Sequence, residues 1–305
     1  MRDKLPKISV VTITYGHEHY ITETLDGVLM QEYGGAVEFI IANDNSPDNT
    51  DELVKNYFKE NPAPENFEIK YTRHAQNKGM MPNFIWALEQ AEGKYIALCE
   101  GDDYWTDPLK LQKQVDFLNS NPSYSACFHS VTKYQQVGGN MTMVEIPESG
   151  DFPANKNLLA NKLHTASFVF RREYLLESTL FNNKKTIGGD RLLVLSLAER
   201  GKLYFMKDNM AVYRIHDGGV SNSLNNKDIV SYNKRFIAQY LYIAKTFKSQ
   251  KHAARIKIVD HVMAIVVYYY KKKNPKALLY LGFAIYHKPS LIASGIKKLI
   301  SRYTK

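Results

Sequence analysis

Apolar positions in this chain fall into short β-branched runs separated by helical stripes. Residues 8–14, ISVVTIT, are apolar or β-branched on both faces and predict a strand buried on both sides. Tyr15-Gly16-His17-Glu18 breaks that run, and a stripe through Ile21, Thr24, Leu25, Val28 and Leu29 predicts a helix, stopped near the double glycine Gly34-Gly35. The pattern then repeats. Residues 38–42 read as a strand, 43–50 as a polar turn, and Leu53, Val54, Tyr57 and Phe58 as the buried face of a helix running to 61. A strand over 67–72, a loop over 74–79 and a helix over 82–91 lead to a fourth strand over 95–99. Further on, the pattern predicts a helix from Pro108 to 120, strands over 124–133 and 166–170, and loop with short local structure over 134–163. A helix from Gly188-Gly189-Asp190 to Gly201 precedes two short strands over 203–206 and 210–214, a loop over 215–221, and helical pattern from 228 onward. This rhythm predicts an α/β fold with a mostly parallel sheet flanked by helices, in which ligands lie beyond the carboxyl ends of the strands.

The fourth strand stops in Glu100-Gly101-Asp102-Asp103, three carboxylates in four positions. Such crowding suits a hard cation such as Mn²⁺ or Mg²⁺, which takes oxygen ligands. The alternative is a solvated acidic turn in which residues 102–105 lead into a helix capped by Thr106 or Asp107. Tyr15 follows the first strand, where an aromatic face stacks on a base or packs as an ordinary tyrosine. His17 and His19 read as a solvated helix start, Asp190 as a helix-start carboxylate favoured by the dipole, and His216 as a loop histidine.

Charge splits the chain at 226. Residues 227–305 hold 17 Lys and Arg against Asp228 and Asp260, a balance of +15, so the first 226 residues carry 23 basic and 29 acidic side chains, a balance of −6. We therefore expect a body over 1–226 and a basic helical appendage over 227–305, meeting different partners. The longest apolar runs of the appendage, 262–270 and 277–286, are short of the ~20 residues that span a bilayer. With Lys271, Lys272, Lys273, Lys276, Lys288, Lys297, Lys298 and Arg302 beside them, they match an element lying on an anionic membrane, or else a helical appendage packed on the body. Cys99 and Cys127 sit in apolar runs and read as buried free thiols, and 1–11 has no apolar signal core, so a cytoplasmic location at the inner membrane face is the expectation.

Residues 7–223 resemble family 2 of the glycosyltransferases, inverting enzymes of the GT-A (Rossmann-like) fold. The segments that carry the likeness are SVVTITYGHEHYI, FIIANDNSPDNT, NKGMMPNF, AEGKYIALCEGDDYW, and GGDRLLVLSLAERG followed by AVYRIHDGGVS. The resemblance implies a bacterial surface-polysaccharide enzyme that uses a nucleotide-sugar donor, a UDP-sugar favoured, and a glycan or lipid-linked acceptor. Asp190 corresponds to the general base. Asp102, Asp103 and His216 correspond to the Mn²⁺ or Mg²⁺ site. Thr14, Tyr15, Glu18, Asn43, Asn77, Lys78, Asn83, Glu100, Gly101, Asp102 and Arg214 correspond to the donor pocket. Asn43 stands where the family usually has Asp, and Gly189 where it often has Glu before the base.

Two other readings compete. A sugar-nucleotide nucleotidyltransferase needs a glycine-rich basic phosphate loop after the first strand, which Tyr15-Gly16-His17-Glu18 does not supply. A nucleic-acid binder would use the basic tail with its tyrosines, but the acidic body argues against an extended phosphate-binding face, and no nucleic-acid partner is expected.

Overall fold

The computed structural model describes residues 5–136, 138–144, 148–160, 163–176, 188–219 and 228–289. The chain forms two compact units, Met1–Pro153 with Lys162–His216, and Ala154–Asn161 with Asp217–Lys305.

In the first unit, β1 (Ile8–Thr14), β2 (Val37–Asn43), β3 (Phe67–Arg73) and β4 (Tyr95–Leu98) are joined through α1 (Ile21–Leu29), α2 (Thr50–Glu60) and α3 (Met80–Glu89). These four strands pair in parallel in the order β3-β2-β1-β4. Thr14 lies opposite Asn43, and Asn43 opposite Arg73, so three strands end level. β4 ends early, opposite Val11, yet its backbone stays against β1: Cys99 N–H donates to Val11 O at 3.1 Å and Gly101 N–H to Ile13 O at 3.0 Å. The acid turn is thereby fixed beside the end of the central strand.

The sheet continues as β9-β6-β10-β5, with β9 (Val169–Arg171) antiparallel to both β4 and β6 (Tyr124–Gln135). It is parallel through β4 and mixed beyond it. Here the structure departs from the periodicity in several places. Tyr104–Trp105 is not a helix start but β5, paired with Val212 and Ala211. The two short strands expected over 203–214 are one strand, β10 (Lys202–Ile215), whose polar Lys207-Asp208-Asn209 is absorbed by register shifts against β6. The expected loop over 134–163 contains β7 (Asn140–Val144), β8 (Gly150–Asp151) and α5 (Ala154–Ala160). Of the strand expected over 166–170, only Val169 and Phe170 pair, because Thr165–Ser167 forms a 3₁₀ turn. α4 (Lys110–Ser120), α6 (Arg172–Leu176) and α7 (Gly189–Ala198) complete the unit.

Its core cluster is built on one face of the parallel strands, with Ile8, Val10, Phe39, Ile41 and Tyr95 against Ile21, Leu25, Val28 and Leu111. Each such side chain contributes about 1.5–3 kcal/mol by leaving water. Gly27 sets the approach of α1: a Cβ there would lie 2.8 Å from the backbone nitrogen of Trp105. That contact seats α1 against the segment leaving the acid turn. Cys99 and Cys127 are free and buried.

The second unit consists of α5, α8 (Ile229–Thr246), α9 (Lys251–Lys271) and α10 (Lys276–His287), with α5, α8 and α10 packed on α9. Asp228 caps α8, accepting from Val230 N–H at 3.0 Å and Ser231 N–H at 3.2 Å. His261 stacks on Phe236 with centroids 4.9 Å apart and pairs with Asn233 at 2.8 Å. Among the described residues no helix is long and apolar enough to cross a membrane.

Candidate active site

The site grows from the turn after β4. A Cβ on Gly101 would lie 2.7 Å from the Thr14 side chain and 2.9 Å from His17 Nδ1, so only glycine lets the turn sit this close to β1. Asp103 is fully buried. Its Oδ1 accepts from the Arg214 backbone N–H at 2.8 Å, its carbonyl accepts from Thr24 Oγ1 at 2.7 Å, and its Oδ2 meets no hydrogen-bond partner among the described residues. Arg214, at the end of β10, donates from its guanidinium to the Asp102 carbonyl at 2.8 Å and to Glu23, and lies 4.5 Å from the Tyr104 ring centroid. Arg214 thus clamps the backbone of the turn from the far side of the sheet.

Two imidazoles reach one oxygen of Asp102. His216 Nε2 lies 3.1 Å from Asp102 Oδ2 and His17 Nε2 lies 3.9 Å from it. His17 is not the solvated helix-start residue its sequence suggests. Its ring is mostly buried, Nδ1 is 3.1 Å from Thr14 Oγ1, and its backbone N–H donates to Thr50 Oγ1 at 3.0 Å. Burial holds its pKa below the ordinary imidazole value, opposed by the charge of Asp102.

One oxygen from each of Glu100, Asp102 and Asp103 lies within 4.8 Å of the others. Burial, with the charges of Asp102 and Asp190, pushes the Glu100 carboxyl up to about 8. Burial and its two acidic neighbours raise Asp103 well above the carboxylate range, against the pull of Arg214. Burial also works to raise Asp102, but the bond to His216 and the proximity of His17 outweigh it and leave that carboxyl below its usual value. Asp190, in the first turn of α7 behind Gly188 at φ 78°, is half-buried, and its effect on Glu100 places it within electrostatic range of the acid turn.

The other sequence candidates divide. Tyr15 is 49% exposed, its ring open beyond β1 instead of packed in the core. Asn77 and Lys78 lie in the loop after β3, which is tied down because Asp44 accepts from Lys78 N–H at 2.7 Å and Gly79 N–H at 2.9 Å. The Lys78 ammonium is 5.2 Å from the Trp86 ring centroid. Glu18 accepts from Asn49 N–H at 2.9 Å. Asn43 is buried at the end of β2, its Nδ2 donating to Tyr71 at 2.9 Å and its Oδ1 accepting from Ser46 N–H at 2.8 Å. Asn83 is buried in α3, donates to Ala42 O beside the end of β2 at 3.0 Å, and pairs with His74 at 2.9 Å. Sequence reasoning missed His17, Glu23, Thr24 and Asp44. The one available signal was that His17 and Asp44 fall in turns at the same sheet edge as the acids.

A sheet of this order, with an acid turn beside the central strand, defines a GT-A glycosyltransferase fold. TarS 1–349 of S. aureus, solved in complex with UDP-GlcNAc, matches 94% of this chain and 92% of its own with a TM-score of 0.62 at 15% identity. The mannosyltransferase PcManGT of Pyrobaculum calidifontis, solved with GDP-Man and Mn²⁺, matches 99% and 87% with a TM-score of 0.57 at 15% identity. The glycosyl transferase family 2 model matches residues 9–177, and the chain belongs to that family of transferase enzymes. The protein Rv1520 of Mycobacterium tuberculosis is 36% identical over 219 residues, 71% of this chain and 61% of that protein, so the chain spans well under the full length of this relative. TuaG of Bacillus subtilis, a putative teichuronic acid biosynthesis glycosyltransferase, is 29% identical over 224 residues, 72% of this chain and 82% of TuaG.

Proposed function

We propose that this enzyme moves a sugar from a nucleoside diphosphate, favoured as a UDP-sugar, to a hydroxyl of a glycan or lipid-linked acceptor in surface-polysaccharide assembly, with inversion at the anomeric carbon. The observation that carries the reading is the cluster of three carboxylates held beside the end of the central strand, one oxygen of each within 4.8 Å of the others, with the Asp190 charge adding to the rise of Glu100. Asp190 takes the proton of the acceptor hydroxyl while that oxygen attacks the anomeric carbon opposite the departing diphosphate. The bond to the acceptor forms as the bond to the β-phosphate breaks, so an α-linked donor yields a β-linkage. Tyr15 offers an open ring for the base.

The residues of the turn fit a Mn²⁺ or Mg²⁺ ion. Three carboxylates crowd together, two are raised by burial and mutual repulsion, and one buried oxygen of Asp103 has no hydrogen-bond partner among the described residues. Asp102 and Asp103 would hold the ion with His216, and when bound it supplies the charge that neutralises the leaving diphosphate. Arg214 keeps the turn in place from behind, and His17 and His216 orient the Asp102 carboxylate. A UDP donor and a cell-surface polymer are supported by the ligand in TarS and by the name of TuaG. The basic region 227–305 brings the enzyme to the inner membrane face.

Calorimetry with a panel of nucleotide sugars and Mn²⁺ tests this reading. Binding of a UDP-sugar is expected, and Asp190→Asn should keep that binding while losing transfer by about a hundredfold or more. Wild-type transfer by Asp190→Asn would remove the base assignment, and no binding of any nucleotide sugar would remove the whole reading.

A further inference from the structure

The second unit ends in a helix whose outer face is apolar. Along α10, Leu278 and Leu279 are each 73% exposed, Phe283 is 37% exposed and Tyr286 is 77% exposed. With Gly282, also exposed, these positions share one face about 140° wide at 3.6 residues per turn. The opposite face is docked: Ala277 and Ala284 are buried, and Tyr280 stacks on Tyr269 of α9 with centroids 5.8 Å apart. The apolar face is therefore held outward by a packed helix. Four large apolar side chains on one exposed surface mark a contact site.

The surrounding charge selects the partner. Lys271, Lys272 and Lys273 in the turn before α10, Lys276 at its start and Lys288 after its end are all exposed. No acidic residue follows Asp260. A second copy of this chain docked through the same face would bring these lysines against their own kind, which disfavours that self-association. An anionic bilayer supplies both things the surface needs, acyl chains for Leu278, Leu279, Phe283 and Tyr286 and lipid phosphates for the lysines. With 12 residues the helix is about 18 Å long, too short to span a bilayer, so it lies in the interface plane.

We infer that the exposed face of α10 is the docking surface for an anionic lipid membrane, with the flanking lysines on the headgroups. The inference rests on the proposed membrane acceptor only for its biological sense. Lipid binding is measured without donor or acceptor, so failure here and failure of the transfer reading are distinguishable.

The test is co-sedimentation of the full chain with phosphatidylglycerol-containing vesicles and with pure phosphatidylcholine vesicles. Wild type should pellet with the anionic vesicles only, and less so at high salt. Leu278→Ser with Leu279→Ser and Tyr286→Ser should weaken that partition by about tenfold or more. Lys271→Gln with Lys272→Gln and Lys273→Gln should weaken it while leaving the apolar face intact. The substituted side chains are exposed, and circular dichroism together with retained nucleotide-sugar binding checks the fold. Equal pelleting of wild type with both vesicle types, or wild-type pelleting by the serine variant, overturns the inference. Dimers in sedimentation velocity that the serine variant dissolves would assign the face to a second copy and overturn it. Vesicle binding that appears only after deletion of residues 290–305 would assign the face to that segment, with the same result.

Discussion

The two ends of the parallel strands treat carboxylates in opposite ways. At the amino end, Glu38 is fully buried but saturated: it accepts from Ser9 Oγ at 2.5 Å and from Glu92 N–H at 2.9 Å, and pairs with Lys7 at 3.1 Å and with Lys70. Burial works to raise its pKa, and those partners overrule it, leaving the carboxyl at about 2. At the carboxyl end, Glu100 and Asp103 are held together with too few partners, and burial with like charge lifts Glu100 to about 8. One edge has its charge compensated within the fold. The other keeps three carboxylates together in a group that could hold a metal ion, and that difference separates a structural carboxylate from the candidate site.

Substitution separates the two edges most sharply. Asp102→Ala should lower metal-dependent transfer by about a thousandfold. It should change the melting temperature little, because the relief of repulsion on Glu100 and Asp103 offsets the lost bond to His216 and the lost attraction to His17. Activity assays with a Mn²⁺ titration and calorimetric melting read the two effects, and a large loss of stability without loss of metal dependence would break the comparison. Glu38→Gln should do the reverse, costing about 3 kcal/mol of stability, since its carboxyl falls from 4.5 to about 2 in the folded chain. Its turnover at saturating donor should stay near that of wild type.

The pH dependence of stability has opposite signs at the two edges. Glu38 has a folded value below its unfolded one, so its stabilisation is complete above pH 4.5 and is lost as pH falls toward about 2. The gap between wild type and Glu38→Gln should close over that window. Glu100 has a folded value above its unfolded one, so the folded chain keeps a proton that the unfolded chain releases between pH 4.5 and about 8. Its contribution is therefore full below pH 4.5 and is lost as pH rises toward 8. Relative to wild type, Glu100→Gln should be more stable at pH 8 than at pH 5, as measured by chemical denaturation at the two values without metal.

The same contrast explains what could be read in advance. The strand ending at Thr14 and the acids at 100–103 were legible because both depend on local pattern, a β-branched run and a cluster of charge. The role of Gly101 was not, because it depends on the distance to Thr14 and His17 across the sheet. β5 was invisible for a related reason: Tyr104 and Trp105 are strand only because Val212 and Ala211, more than a hundred residues away, pair with them. The split expected within β10 came from a polar triplet that a bulge accommodates. The bonds of Asn83 to His74 and to the Ala42 carbonyl were not legible, because they join the helix to the loop after β3 and to the end of β2.

His17 supplies the finest test of where the active edge stops. Its Nε2 lies 3.9 Å from Asp102, farther than His216 at 3.1 Å. Its ring is aimed by Thr14 Oγ1 at 3.1 Å, an arrangement suited to orienting a carboxylate that itself holds the cation. His17→Ala should raise the Mn²⁺ concentration needed for half-maximal thermal stabilisation by about tenfold, well short of the loss expected for Asp102→Ala. The melting temperature without metal should change little. A fall of many degrees with an unchanged Mn²⁺ requirement would move His17 to the structural side of the comparison. An unchanged Mn²⁺ requirement with an unchanged melting temperature would confine the metal-facing edge to the acid turn and His216.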